Sequence, residues 1–140
     1  MARPAKKPGA PALRLILDSG AVLALARHDV RARAALAAAW EAGAEVVLPA
    51  VVVAETVRGN GPRGAAVNRV VAAAGDVAEL DEATARLAGV LLARAGSSAT
   101  VDALVVAEAV ARGGGVILTG DADDLRRLAG PHQRVLVQAI

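Results

Sequence analysis

The sequence predicts an α/β domain in which helices flank a mostly parallel central sheet, and three observations predict it. Short apolar runs alternate with longer stretches of helical spacing, the pattern of strand–helix–strand units whose strands are buried on both faces. The chain of 140 residues is long enough for one core and leaves little room for a second. Hydrophobic residues make up 55% of it, which excludes disorder over most of its length. With no Phe or Tyr and a single Trp, the core must be aliphatic. The aromatic platforms on which RRM-like and OB-like domains stack bases are missing.

Residues 1–12 combine Pro4, Pro8 and Pro11 with Arg3, Lys6 and Lys7 and are expected to form a flexible basic leader; residues 13–140 form the single domain. Leu13–Leu17 is an apolar run stopped by Asp18-Ser19-Gly20, a strand closed by a turn or helix cap. Helices follow over Ala21–Arg27 and Val30–Ala42, the second with Leu36 and Trp40 four residues apart and ended by Gly43. Glu45–Leu48 is the second strand, and Pro49 suits the first turn of a helix over Ala50–Arg58. Gly59–Gly64 fits the letters of G-x-G-x-x-G but follows a helix and contains Pro62, so it is a loop and not a dinucleotide site. A helix over Arg63–Ala74 and a short strand over Val77–Leu80 come next, and Asp81 caps a helix over Glu82–Ala95 that Gly96 ends. A further helix runs from about Thr100 to Arg112. Gly113-Gly114-Gly115 breaks it before the strand Val116–Leu118, the helix Asp121–Ala129 and the last strand Arg134–Val137.

Sixteen basic and 14 acidic residues give a net charge of +2. Both lysines lie in the leader, so the folded part is basic through arginine alone. Compositional bias and arginine recognition of phosphate both account for this. The absence of cysteine excludes disulfides, thiolate metal sites and cysteine nucleophiles. Arg14 and Asp18 interrupt the apolar stretch that would have to serve as a signal h-region, and no apolar run reaches transmembrane length. A cytoplasmic protein without a membrane partner is expected.

Glu41, Glu45, Asp76, Glu79, Asp81 and Glu82 are expected to be solvated, and Glu108 has the spacing of an exposed helical pair with Arg112. Four stand apart by position. Asp18 directly follows the first strand, and Asp121 follows Val116-Ile117-Leu118-Thr119-Gly120 at the end of another. Glu55 shares a helical stripe with Val51 and Val52, and Asp102 shares one with Val105, Val106 and Ala109. Each has an ordinary alternative: Asp18 and Asp121 as helix caps, Glu55 as a partner for Arg58, Asp102 as a first-turn acid on the helix dipole. Together they project toward one edge of the proposed sheet, where α/β folds bind ligands. Two carboxylates ~5 Å apart repel by roughly 3 kcal/mol at an effective dielectric near 20, so such a cluster calls for protonation or a cation. With few histidines and no thiols, the donor set favours Mg²⁺ or Mn²⁺, a setting suited to phosphodiester hydrolysis.

The segments Leu15–Ala21 (LILDSGA), Pro49–Glu55 (PAVVVAE), Thr100–Leu104 (TVDAL) and Leu118–Leu125 (LTGDADDL) resemble, in order and spacing, those of the PIN-domain ribonucleases. The chain is most similar to the VapC-type toxins of toxin–antitoxin pairs, over essentially residues 13–137. The resemblance implies a PIN-like three-layer fold and an acidic pocket of Asp18, Glu55, Asp102 and Asp121. It implies that Asp18, Asp102 and Asp121 hold Mg²⁺ (or Mn²⁺), with Glu55 as a ligand or as the group orienting the attacking water. Ser19, Thr119 and Asp123 would add hydrogen bonds or water-mediated contacts, and Arg27 and Arg58 are the first candidates for phosphate contacts. It further implies endonucleolytic cleavage of RNA that inhibits translation or growth, a homodimer, and a cognate antitoxin that blocks the pocket. Ala99 stands where some relatives carry a further acid, which bears on a second metal. The alternative is a PIN-like module that binds or scaffolds nucleic acid with little or no catalysis. Receiver-type phosphoacceptors and haloacid-dehalogenase-like phosphatases are disfavoured, because Asp18-Ser19-Gly20 lacks their second acid and no lysine follows Lys7.

Overall fold

The computed structural model describes residues 13–62 and 64–140; the expected basic leader and Arg63 lie outside them. The elements run β1 (Arg14–Leu17), α1 (Ser19–Ala26), α2 (Val30–Glu41), β2 (Glu45–Pro49), α3 (Ala50–Thr56), α4 (Ala65–Ala74), β3 (Asp76–Ala78), α5 (Glu82–Ala95), α6 (Thr100–Ala111), β4 (Gly115–Thr119), α7 (Ala122–Ala129) and β5 (Val135–Ala139). The strands form one sheet in the order β3-β2-β1-β4-β5, and every pairing is parallel.

The strand order fixes where a site can form. From β1 the chain steps outward to β2 and β3, then returns across β1 to β4 and steps outward again to β5. The direction of winding therefore reverses between β1 and β4, and the crevice at their C-terminal ends is the topological switch point. Right-handed crossovers place α1–α4 on one face and α5–α7 on the other. Accordingly α1 packs on α2, α3 and α4, while α5, α6 and α7 pack on one another. Near the switch the two layers meet, where α3 touches α6 and α1 touches β4.

The core is aliphatic, as the composition requires. Ile16, Leu17, Leu48, Ile117 and Leu118 from the strands are fully buried with Leu36, Leu91, Leu125 and Leu128 from the helices. Fully buried alanines, among them Ala21, Ala24, Ala103 and Ala107, let α1 and α6 each lie close to the sheet, where both touch β4. Trp40 supplies the aromatic bulk at the end of α2 and is 6% exposed. Several element boundaries differ from the sequence expectation by one or two residues. Strand β3 covers Asp76–Ala78, not Val77–Leu80, and helix α1 starts at Ser19, not Ala21, so Asp18 becomes its N-cap residue.

At the N-terminal edge of the sheet, an ion network corrects another expectation. Glu108 is no exposed helical partner and Glu45 is not simply solvated. Arg14 Nε donates to Glu45 at 2.8 Å, Arg112 Nη1 donates to Glu45 at 2.9 Å, and Arg112 Nε donates to the buried Glu108 at 2.7 Å. Arg14 Nη1 also donates to the carbonyls of Arg112 and Gly114 at 2.7 and 2.9 Å. The network ties β1, β2 and the end of α6 together with charges that balance.

Among the described residues no single helix is long and apolar enough to cross a membrane, and the one pair that passes by composition, α5 with α6, is bent by 116°.

Removing the bridging cation leaves a buried carboxylate without its partner. Arg112→Ala is expected to lower the unfolding free energy by about 2–3 kcal/mol. Arg86→Ala, from the surface pair with Glu82 in which the side chains are 78% and 81% exposed, should leave it unchanged. Urea denaturation of both variants checks the contrast.

Candidate active site

Helix capping accounts for some aspartates of this chain and not others. Asp29 accepts from the Ala32 amide at 3.0 Å and Asp81 from the Thr84 amide at 2.8 Å, each as an N-cap. Asp18 and Asp121 occupy the N-cap positions of α1 and α7 and make no side-chain cap bond. Their carboxylates face elsewhere.

Asp18 leaves β1 at the centre of the sheet and is 6% exposed. Its amide donates to the Leu118 carbonyl at 3.1 Å, fastening it to β4. The Thr119 hydroxyl donates to Asp18 Oδ2 at 2.7 Å and accepts from the Asp121 amide at 3.0 Å. Thr119 is fully buried, so this hydroxyl fixes Asp18 and the turn carrying Asp121 relative to each other. Burial raises the Asp18 carboxyl above the usual carboxylate range; the bonds from Thr119 and the Ser19 amide oppose this, and the negative charges of Glu55 and Asp121 add to it.

Two further acids arrive from the two helix layers. Glu55 is near the C-terminal end of α3, where the helix dipole disfavours an acid. It is not paired with Arg58; the Ser19 hydroxyl, one residue past Asp18, donates to it. Asp102 lies in the first turn of α6. Burial pushes its carboxyl up to about 6, helped by the negative charges of Asp18, Asp124, Asp121 and Glu55. Asp18, Glu55, Asp102 and Asp121 thus face one another across the switch point.

The fifth carboxylate in that set is Asp124, which the sequence pattern does not single out. Asp123 points away from the set, its side chain 98% exposed and 3.9 Å from Arg126. Asp124 is half-exposed on the flank of α7, accepts from Arg127 at 3.2 Å, and is near enough to Asp102 for its charge to raise that carboxyl. A signal for it does exist: three residues after Asp121, Asp124 occupies the helix position that folds back over the N-cap. The two candidate phosphate-binding arginines are directed elsewhere. Arg27 follows α1 at the end remote from Asp18, beside Asp29. Arg58 Nη1 donates to the Ala54 and Val57 carbonyls at 3.0 and 2.9 Å.

The donor set is chemically that of a hard, oxygen-ligated cation. It contains carboxylates and hydroxyls, and neither histidine belongs to it. A buried Asp18 with one hydroxyl and one amide for compensation fits a site that gains from a positive charge. Among the described residues no three acids or histidines stand close enough to form a ready-made ligand set, so direct ligation by three of them requires side-chain adjustment.

The sequence profile of the PIN domain family matches residues 15–131. No curated protein matches the chain significantly. Solved structures share its fold at low identity. One is VapBC2 from Rickettsia felis bound to a DNA fragment from their promoter (12% identical, TM-score 0.73, covering 91% of this chain and 99% of that one). A second is FitAcB from Neisseria gonorrhoeae (20%, 0.64, 88% and 95%). A third is VapBC-5 from Mycobacterium tuberculosis, a member of the VapBC family of toxin–antitoxin systems (19%, 0.59, 93% and 100%).

A carboxyl whose pKa is higher in the folded than in the unfolded chain binds its proton more tightly in the native state, so ionising it costs stability. For Asp102 that loss develops as pH rises from 3.8 through about 6 and is complete above it. Asp18 contributes in the same direction. In EDTA, Asp102→Asn should therefore melt higher than the wild type at pH 7, with the difference shrinking as pH falls through that window. Melting curves across pH check this.

Proposed function

This chain belongs to the PIN domain family, and from that premise we propose that it is a Mg²⁺- or Mn²⁺-dependent endoribonuclease, the toxin of a toxin–antitoxin pair. The observation that carries the proposal is the buried Asp18. It leaves its helix uncapped, takes a hydroxyl bond from across the switch point, and faces acids delivered by α3, α6 and α7. A fold that needed these residues only for stability would pair them with cations, as it pairs Glu45 and Glu108.

In the proposed site Asp18, Asp102 and Asp121 hold the metal, directly or through water. When bound, a divalent cation supplies Lewis acidity and lowers the pKa of a coordinated water. Glu55, held by the Ser19 hydroxyl, orients the attacking water and accepts its proton at a carboxylate oxygen. Thr119 keeps Asp18 in place and fixes the turn that carries Asp121. Asp124 adds negative charge near Asp102 and helps hold its carboxyl protonated; a divalent cation bound there would compete with that proton, which would leave to water.

The VapBC complexes among the structural relatives support an antitoxin as partner; the proposal adds that a segment of it closes the acidic crevice. A homodimer acting on RNA in the cytoplasm completes the proposal. For the dimer, α5 is the candidate surface, because Val90 is 60% exposed on it.

Incubating total RNA with the purified, antitoxin-free protein tests the proposal. Discrete fragments should form with Mg²⁺ or Mn²⁺, vanish in EDTA, and be absent with Asp18→Asn. Thr119→Val, which keeps shape and loses the hydroxyl, should cost about 10–100-fold in cleavage. A folded preparation that binds the metal and cuts nothing favours the binding or scaffold module instead.

A further inference from the structure

Asp18 and Asp121 are carried by two different turns, and the structure shows what sets the distance between those turns. Gly20 is the second residue of α1, two past Asp18, and Gly120 separates Thr119 from Asp121. A Cβ built on Gly20 would lie 2.8 Å from the Gly120 nitrogen and 3.1 Å from its Cα. The reverse contact is relaxed, since a Cβ on Gly120 would lie 3.7 Å from Gly20 Cα. Neither glycine has a positive φ, so backbone conformation does not call for glycine at either position. Within a helix, intrinsic propensity even favours Ala over Gly. What position 20 requires is the absence of a side chain where two backbones touch.

We propose that Gly20 is a positioning residue: by lacking a Cβ it lets the turn after β1 rest directly on the turn after β4, and this contact sets the spacing of Asp18 and Asp121. Helix α1 cannot yield to an added methyl, because Ala21, Val22 and Ala24 are fully buried against the core. The turn after β4 must yield instead. Gly120 and Asp121 are exposed, whereas Thr119 before them is fully buried, so the displacement falls on the segment that carries Asp121. The Thr119 hydroxyl then loses its simultaneous fit to Asp18 Oδ2 and to the Asp121 amide. The inference rests on the metal-site reading given above and adds the element that fixes its geometry.

The test measures Mn²⁺ binding by calorimetry and melting in EDTA for the wild type, Gly20→Ala, Gly120→Ala and Gly114→Ala. Gly114 serves as the distant control. It is at the opposite end of the sheet, and its Cβ would meet the Arg134 carbonyl oxygen at 2.6 Å, so its substitution costs stability without touching the acids. Gly20→Ala is expected to weaken Mn²⁺ binding about tenfold, the scale of lost support around a metal site. Gly114→Ala should melt lower with Mn²⁺ affinity unchanged, and Gly120→Ala should keep its affinity. The proposal is overturned if Gly20→Ala binds Mn²⁺ like the wild type, or if Gly120→Ala or Gly114→Ala weakens binding as much. A Gly20→Ala chain that cannot fold also overturns it, since the contact is then a requirement of the fold and not a positioning device. A folded wild type that binds no Mn²⁺ sinks the metal-site reading itself and is told apart from the other failures by that control.

Discussion

A carboxylate buried at the centre of a parallel sheet is the constraint around which this molecule is arranged. Asp18 follows β1, the middle strand of the five, with β2 on one side and β4 across the switch point on the other. Its way to solvent is the crevice between β1 and β4. Removing a carboxylate from water is costly unless hydrogen bonds or a counter-charge compensate. The chain supplies a hydroxyl from Thr119 and an amide from Ser19 and then adds further negative charge around them. That choice raises the pKa of Asp18 and Asp102 and leaves the C-terminal edge of the sheet short of positive charge.

The opposite edge shows what the same residue types look like when their role is structural. There Arg14 and Arg112 alternate with Glu45 and Glu108, each carboxylate 2.7–2.9 Å from a guanidinium. The two edges are joined by α6, which starts beside the acidic crevice at Asp102 and ends in the balanced network at Arg112. Anchoring one end of α6 by ion pairs holds its other end, and therefore Asp102, in place against repulsion from the facing acids. Stability is concentrated at the edge that does no chemistry, and the repulsion of like charges is confined to the edge proposed to do it.

Most of this was legible in the sequence, because the information is periodic or punctual. Strand runs such as Leu15–Leu17 and Val116–Leu118 are short, apolar and bounded by glycine or acid, and they appear where such signals place them. The placement of acids immediately after those runs locates Asp18 and Asp121 without any knowledge of the strand order. What escaped depends on tertiary context. Whether Asp123 or Asp124 faces the crevice is set by the rotational phase of α7, and one residue of helix turns a side chain through about 100°. Glu108 carries the spacing of an exposed pair with Arg112, and only the approach of β1 and β2 converts that pair into a partly buried network. Gly20 reads as a turn residue from sequence alone, since the backbone it touches, at Gly120, is far along the chain.

The helix ends near the crevice point the same way. An aspartate at an N-cap normally stabilises its helix by about 1 kcal/mol through a bond to the second or third amide, and Asp29 and Asp81 do so. Asp18 and Asp121 hold the same position and forgo the bond. Glu55 sits at the helix end whose dipole repels it, and Gly20 occupies a helical position where intrinsic propensity alone would favour alanine. Each departure is small, and singly none of them would mark a site. All of them fall within one crevice, and each sacrifices local helix stability in a way that frees or aims a carboxylate. Stability given up repeatedly at one place, with a single geometric consequence, is the pattern expected of a site shaped for binding charge and not of a core shaped for folding.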